Sequence, residues 1–149
     1  MSSGFLTHAV IRVLDALAQR VLAPSSSPEH QRTGRRGEED AYFYLRKLGY
    51  VMVARNYRSP RRHGEIDIIG WHKGILCFIE VKTRTTRDVK PAEAAVGPEK
   101  RRDLADVARE YLRRVPPSCQ WRFDVLTVYY DRHPSQPQFE LFQNAFQMS

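Results

Sequence analysis

The segment that most constrains the fold is a pair of apolar runs, Glu65 to Trp71 and Ile75 to Thr83, separated by His72-Lys73-Gly74. Lys73-Gly74 suits the two-residue loop of a tight β-hairpin, and such a turn fixes the register of both strands. The predicted faces carry Ile69, Trp71, Leu76 and Phe78 on one side and Ile66, Ile68, Ile75, Cys77, Ile79 and Val81 on the other. A hairpin that is apolar on both faces is typical of a covered sheet, so the chain is predicted to be α/β or α+β, with helices packed on a mixed sheet.

The predicted register sets acidic side chains on neighbouring strands. Asp67 falls opposite Glu80, and Glu65 falls opposite Lys82. Directly opposed Cβ atoms lie about 4.5 to 5.5 Å apart, so the two carboxylates face each other. Partly desolvated acids in such an arrangement normally need a cation. A divalent metal such as Mg²⁺ meets that need, with Asp67, Glu80 and the main-chain carbonyl of Val81 as candidate ligands.

Two further residues complete the candidate catalytic set. Lys82 points to the same side as Glu80, where an ammonium group orients or activates the attacking water and stabilises the charge that develops on a phosphate. Glu38 precedes Ala41 and Leu45 by helical spacing, so it falls on the sheet-facing side of its predicted helix. The candidate catalytic residues are therefore Glu38, Asp67, Glu80 and Lys82.

Ordinary structural interpretations of these residues stay open at this point. Glu65 and Lys82 suit a cross-strand salt bridge, with Asp67 merely ending a turn. Glu38 at the start of a helix also suits a dipole-complementing acid. A Glu-x-Lys triplet by itself carries little weight, because both residue types are common.

The balance of charge favours a polyanionic partner. Lysine and arginine number 24 against 17 acids, which gives a formal net charge of +7. Basic loops flank the candidate site in sequence on both sides, and contact with a phosphate backbone is their functional interpretation, a solvated surface the alternative. The candidate nucleic-acid-binding residues are Arg58, Arg61, Arg62, Arg84, Arg87 and Lys100.

Composition argues against several other classes of protein. The 5 histidines and 2 cysteines form neither a zinc-ligand spacing nor a disulfide framework. No apolar stretch approaches the ~20 residues that span a bilayer, and no signal peptide is apparent. The expectation is a cytoplasmic protein without a membrane partner.

The periodicity of the chain predicts two parts, residues 1–33 and residues 34–149. Phe5 to Leu22 has the spacing of an amphipathic helix, and Ala23 to Gly37 reads as a linker with a basic end. The elements predicted for the second part are a helix from Glu38 to Leu48, a strand from Tyr50 to Tyr57, the hairpin, a helix from Pro98 to Val115, and strands from Arg122 to Tyr130 and Phe139 to Phe142.

Several short motifs together carry a resemblance to a known family. They are Gly34-Arg35-Arg36-Gly37-Glu38, Leu48-Gly49-Tyr50, Arg55-Asn56-Tyr57-Arg58, Gly64-Glu65-Ile66-Asp67-Ile68-Ile69, Phe78-Ile79-Glu80-Val81-Lys82-Thr83-Arg84, Lys100, Arg122-Phe123-Asp124-Val125 and Asn144-Ala145-Phe146. At these residues the chain resembles the YraN-like family of predicted endonucleases, relatives of the archaeal Holliday-junction resolvases in the PD-(D/E)XK nuclease superfamily.

The resemblance implies a restriction-endonuclease-like mixed sheet with flanking helices from residue 34 onward. It also implies that Asp67 and Glu80 are metal ligands, that Lys82 is the catalytic lysine, and that Glu38 is an accessory acid. The expected activity is Mg²⁺- or Mn²⁺-dependent endonucleolytic hydrolysis of DNA that is branched, flapped or partly single-stranded, as in repair or recombination.

An alternative from a different class is a nucleic-acid-binding accessory module without useful hydrolysis. In that case the amphipathic helix from Phe5 to Leu22 would recruit a partner. A homodimer is a further expectation left open, because cleavage of a junction needs two sites.

Overall fold

A computed structural model of the chain describes residues 29–86, 96–133 and 135–148. Its elements are helix α1 (Glu29–Lys47), strands β1 (Val51–Arg58), β2 (Glu65–His72) and β3 (Ile75–Arg84), helix α2 (Pro98–Leu112), and strands β4 (Trp121–Tyr129) and β5 (Gln138–Phe146). The strands form a 5-stranded sheet in the order β1-β2-β3-β4-β5. The predicted helix from Phe5 to Leu22 and the candidate residue Arg87 lie outside the described residues.

The sheet is mixed, as the sequence predicted. Strand β3 runs parallel to β4, and the other neighbouring pairs are antiparallel. The parallel pair needs a connection that returns to the same end of the sheet, and α2 lies within that connection. The α/β class is therefore confirmed, with helices and a mixed sheet in one fold.

The register predicted for the hairpin is confirmed from the turn as far as Ile68 and Ile79, whereas the predicted pairings of Asp67 with Glu80 and of Glu65 with Lys82 are not part of the β2–β3 ladder. His72 pairs with Ile75 across a turn in which Lys73 and Gly74 both have positive φ angles, 50° and 77°. The paired register ends at Ile68 and Ile79. Asp67 and Glu80, the next residues away from the turn, therefore lie just beyond the paired part of β2 and β3.

The prediction that Ile66 lies on the same face as Ile79 is wrong. Ile66 pairs with Tyr57 of β1, and the Tyr57 ring meets the Tyr111 ring of α2 edge-on at 5.2 Å between centroids. Side chains do not alternate regularly in this part of the paired strands, where Asn56 of β1 has a left-handed backbone (φ 48°). Ile66 consequently joins the core beneath α2.

Helix α2 covers one face of the sheet over a continuous apolar core. Its fully buried members include Ile66, Ile69, Leu76, Phe78, Val107, Phe123 and Val125. Burial of each such side chain stabilises the fold by about 1.5 to 3 kcal/mol relative to exposure. This core is what holds α2 and its charged residues against the sheet.

Helix α1 begins at Glu29, whereas the sequence predicted a linker as far as Gly37 and a helix only from Glu38. The early turns carry exposed Arg32, Arg35 and Arg36 and have no apolar face to bury. Apolar periodicity detects a helix only where one side packs against a core, so this solvated stretch gave no signal.

Gly37 allows α1 to approach β3 closely on the sheet face opposite α2. A Cβ at this position would overlap the Thr83 hydroxyl. Glycine in a helix interior costs about 1 kcal/mol relative to alanine, and here the close approach requires it. The contact places the following residue, Glu38, beside the end of β3.

A buried polar network joins the turn between α1 and β1, the hairpin and the last two strands. Asp124 is completely buried and accepts hydrogen bonds from Arg122 Nε (2.8 Å), the Tyr50 hydroxyl (3.1 Å) and the Asn144 backbone N–H (2.9 Å). Tyr50 also stacks on His72 with ring centroids 4.2 Å apart. Both oxygens of this buried carboxylate therefore accept hydrogen bonds.

None of the helices in the described part of the chain is long and apolar enough to cross a membrane.

Gly37→Ala is expected to destabilise the protein by about 1 to 3 kcal/mol, because the new methyl group forces α1 away from Thr83. Gly34→Ala is the matched control, since a Cβ there meets no atom within 4 Å. The control should be neutral or stabilising by up to about 1 kcal/mol. Urea unfolding of both variants measures the difference, and equal stabilities would contradict the close approach.

Candidate functional site

Asp67 lies at the point where β2 and β3 separate. Its Oδ2 accepts a hydrogen bond of 2.8 Å from the Val81 backbone N–H, which has lost its place in the β2–β3 ladder. In an extended strand the N–H and C=O of one residue point to the same side. The Val81 carbonyl is therefore turned toward the same gap between the strands.

Glu80 faces the gap from β3 with its side chain only 5% exposed. Its Oε1 lies 3.3 Å from Lys82 Nζ and 3.6 Å from Lys100 Nζ. Its Oε2 is buried and has no hydrogen-bond partner among the described residues. A buried carboxylate oxygen without a donor is costly, so this atom marks where a further positive or donor group fits.

Glu38 and Glu65 form a second pair of acids, bridged by the Asn56 amide. With its nitrogen facing them, the amide donates to Glu38 Oε2 (3.0 Å) and to Glu65 Oε1 (2.9 Å). Glu38 comes from α1 on one face of the sheet, and Glu80 pairs with Lys100 from α2 on the other face. The two faces meet here because the strands have separated.

The predicted alternative of a salt bridge between Glu65 and Lys82 is wrong. Glu65 Oε2 lies 2.5 Å from Arg58 Nε, its neighbour across β1 and β2, while Lys82 pairs with Glu80. The separation of β2 from β3 removes the cross-strand proximity that the alternative required. Arg58, a candidate for phosphate contact, is thereby held at the edge of the acid cluster.

Burial and mutual repulsion raise the pKa values of two of these acids. For Asp67, desolvation is the main cause of the raised pKa, and the charges of Glu80 and Glu38 add to it, while the Val81 N–H opposes it. For Glu38, desolvation and the charge of Glu65 raise the pKa from 4.5 to about 7 against the lowering effect of Arg55. The cluster therefore binds protons, or another cation, more readily than exposed carboxylates do.

The donor set fits a hard divalent cation. Two carboxylates, Asp67 and Glu80, and the Val81 carbonyl supply oxygen atoms, and Mg²⁺ typically takes one or two carboxylates and keeps several waters. The partnerless Glu80 Oε2 supplies an unused acceptor. No group of three or more His, Cys, Asp or Glu side chains within the described residues converges as a ligand set, so waters would complete the coordination.

The candidate basic residues within the described part of the chain fall into four placements. Lys100 points into the acid cluster, Arg58 is bound to Glu65, and Arg61 and Arg62 are exposed on the loop between β1 and β2. Arg84 is half-buried at the end of β3, where its carbonyl accepts from the Tyr130 N–H at 2.9 Å. The structure thus brings Lys100 and Arg58 to the site and leaves Arg61 and Arg62 beside it.

Sequence reasoning named Asn56 and Gly37 within the motifs that carry the family resemblance and assigned neither of them a role in the site. Asn56 holds two of the acids together, and Gly37 lets α1 bring Glu38 to them. Asparagine tolerates a left-handed backbone better than most residues. An asparagine inside a strand-like run could therefore have indicated an irregularity at Asn56. The signal for Gly37 was a glycine inside a helical segment, which usually has a packing reason.

Glu38→Gln is expected to flatten the pH dependence of stability in metal-free protein. Because the folded pKa of Glu38 is above its ordinary value, the folded state binds more protons, and stability falls as pH rises from 4.5 to about 7. The variant lacks this loss and should be more stable than the wild type at pH 8 by about 1 kcal/mol. Urea unfolding in EDTA across this pH range measures it.

The control for that series is Glu99→Gln, which removes an exposed acid in the first turn of α2. It should keep the wild-type slope. A Glu38→Gln variant with the same slope as this control would show that Glu38 is not repelled in the folded protein.

Asn56→Gly should keep the backbone and remove the bridging amide, since glycine accepts the left-handed conformation. Asn56→Asp should destabilise more, by about 1 to 2 kcal/mol at pH 8, because a third carboxylate replaces the donor between two acids. The matched control is Asn144→Gly, at the left-handed position of β5 (φ 52°). Similar losses for Asn56→Asp and Asn144→Gly in thermal unfolding would contradict the bridging role.

Comparison with known proteins places this arrangement in a family. A model of "Uncharacterised protein family UPF0102" matches residues 37–128. A UPF0102 protein of Koribacter versatilis is 54% identical over 143 residues, which cover 96% of each chain. One from Solibacter usitatus is 44% identical over 116 residues, 76% of this chain and 84% of its own. The acids, Lys82 and Lys100 all lie inside the matched segment, and the chain belongs to the UPF0102 family, to which the YraN-like proteins also belong.

Proposed function

We propose that this protein is a metal-dependent endonuclease that hydrolyses phosphodiester bonds in DNA, with branched, flapped or partly single-stranded DNA as the expected substrates. The observation that carries the proposal is the gap between β2 and β3. Asp67 and Glu80 meet there with Lys82 and Lys100, and one buried oxygen of Glu80 has no partner among the described residues.

The arrangement of elements supports a restriction-endonuclease-like core. In such a core an antiparallel hairpin carries the acids and the lysine, a helix crosses to a parallel strand, and a first helix adds an accessory acid. Strands β2 and β3, helix α2, strand β4 and helix α1 supply these parts in the same chain. Because fold alone does not establish activity, the weight of the proposal rests on the site.

Asp67, Glu80 and the Val81 carbonyl would hold Mg²⁺ or Mn²⁺. A divalent cation at this place supplies Lewis-acid stabilisation of the negative charge on a phosphate oxygen. The residues of the chain provide the rest of the chemistry. Lys82 and Lys100 lie on the same carboxylate oxygen, so their ammonium groups are fixed where a phosphate would enter the gap.

Glu38 suits the transfer of a proton at neutral pH. Its pKa is about 7, so at neutral pH the carboxylate can accept a proton from the attacking water and release it again afterwards. The Asn56 amide fixes the position of the Glu38 carboxylate. In this assignment Lys82 stabilises charge and orients the water, and Glu38 takes its proton.

Asp67→Asn is expected to reduce cleavage at least about 100-fold while preserving the fold, because the amide oxygen can still accept from the Val81 N–H. The measurement incubates the purified protein in Mn²⁺ or Mg²⁺ with labelled junction, flap, single-stranded and duplex DNA and with RNA, and reads products on a denaturing gel. Glu140→Gln, which removes an exposed acid on β5, is the control and should cut like the wild type.

A nucleic-acid-binding module without hydrolysis is the second candidate. It is favoured by the lack of a group of three metal-binding side chains among the described residues and by the formal net charge of +7. If the wild type binds the whole panel and cuts none of it with either metal, the endonuclease proposal fails and this candidate replaces it.

A further inference from the structure

A groove lined by charged side chains lies between the β1–β2 loop and helix α2. Arg61 and Arg62 line it from the loop, and Asp106, Arg109, Glu110 and Arg113 line it from the helix and its end. The helical residues recur at intervals of three and four, so they form one solvent-facing stripe opposite the buried Leu104, Val107 and Ala108. The groove is therefore built from two elements of fixed relative position.

Two contacts fix the loop against the helix. The Ser59 hydroxyl is buried, donates to Glu110 Oε2 and accepts from the Arg61 N–H at 3.1 Å. At the other end of the loop, Gly64 has a φ of 107° and packs so closely on Asp103 that a Cβ would lie 3.0 Å from the Asp103 Cβ. Arg61 and Arg62 are thus presented by an ordered loop.

Some charged side chains of the groove already have a partner within the protein, and others do not. Glu110 is occupied by Ser59, and Asp106 Oδ1 lies 3.1 Å from Arg109 Nη1. Within residues 29–86, 96–133 and 135–148, Arg61, Arg62 and Arg113 have no ion-pair partner, and all three are exposed. Three guanidinium groups without an ion-pair partner among the described residues, on a preordered surface, favour a polyanionic ligand such as a chain of phosphates.

The loop that lines the groove is anchored at the acid cluster. Arg58 and Glu65, which close the base of the loop, are bound to each other, and Glu65 shares the Asn56 amide with Glu38. Arg61 is separated from Glu65 by few residues, so their Cα atoms lie within about 14 Å of each other even if the chain were extended. At an axial rise of about 3.4 Å per nucleotide, this upper limit corresponds to roughly four nucleotides.

We infer that this groove binds the phosphate backbone of a nucleic-acid strand that continues from the acid cluster, with Arg61, Arg62 and Arg113 on its phosphates. The inference rests on the proposed function for the identity of the ligand, and it adds Arg113 and the groove to the surface expected from sequence. It requires a substrate that extends several nucleotides from the bond at the site.

The test measures DNA affinity without hydrolysis. Arg62→Gln with Arg113→Gln is compared with the wild type by fluorescence anisotropy of a labelled duplex in EDTA over a series of salt concentrations. Lys73→Asn is the matched control, because it removes an exposed charge at the hairpin turn, at the far end of β3, and asparagine tolerates the left-handed backbone there. Circular dichroism verifies that each variant is folded.

The double variant should bind about tenfold more weakly, and its slope of log affinity against log salt should be shallower by about 0.9 for each phosphate that it no longer neutralises. The control should match the wild type.

Unchanged affinity and slope in the double variant would overturn the inference even if the wild type cuts DNA. The same anisotropy assay is run with labelled polyglutamate. If the double variant loses binding to polyglutamate but still binds DNA, the inference is also overturned, because the groove would then accept an acidic peptide. If the DNA affinity of the double variant falls as expected but the wild type cuts no nucleic acid with either metal, the inference about the groove is supported and the endonuclease proposal fails.

Discussion

Repulsion among carboxylates in a poorly solvated gap is the constraint on which the rest of the structure depends. Asp67 and Glu80 are brought together by a hairpin whose pairing ends just before them, and Glu38 and Glu65 add further negative charge. Such a cluster is tolerated only because rigid elements hold it and because Lys82, Lys100, Arg58 and Asn56 each offset part of the repulsion. The packing of the helices and strands thus holds the carboxylates together against their mutual repulsion.

The sequence predicted the elements and the register of the hairpin well, because both depend on local periodicity and turn chemistry. The pairing of His72 with Ile75 follows from Lys73-Gly74 alone. The same reasoning failed for Ile66 and for the partner of Glu65, since it assumed an uninterrupted ladder. The left-handed Asn56 and the separation of β2 from β3 depend on tertiary context, which alternation cannot report.

The sequence predicted the individual residues of the site, but it did not predict the contacts between them. Spacing placed Glu38, Asp67, Glu80 and Lys82 on suitable faces, yet it gave no indication that Asn56 bridges two acids or that Lys100 reaches Glu80. It also placed the start of α1 too late, because a solvated helical turn has no apolar signature. Patterns of burial reveal which side of an element faces inward, while contacts between elements distant in sequence require the fold.

The buried network of Arg122, Asp124 and Tyr50 gives the two ends of the same strands opposite characters. At one end the buried charges of Arg122 and Asp124 are paired with each other, and at the other end carboxylates are crowded together around an oxygen of Glu80 that has no partner among the described residues. Local opening should therefore start at the crowded end while the opposite end persists. The end of the sheet that holds the network is consequently firm, whereas at the acid end a bound cation would relieve the repulsion and make local opening less frequent.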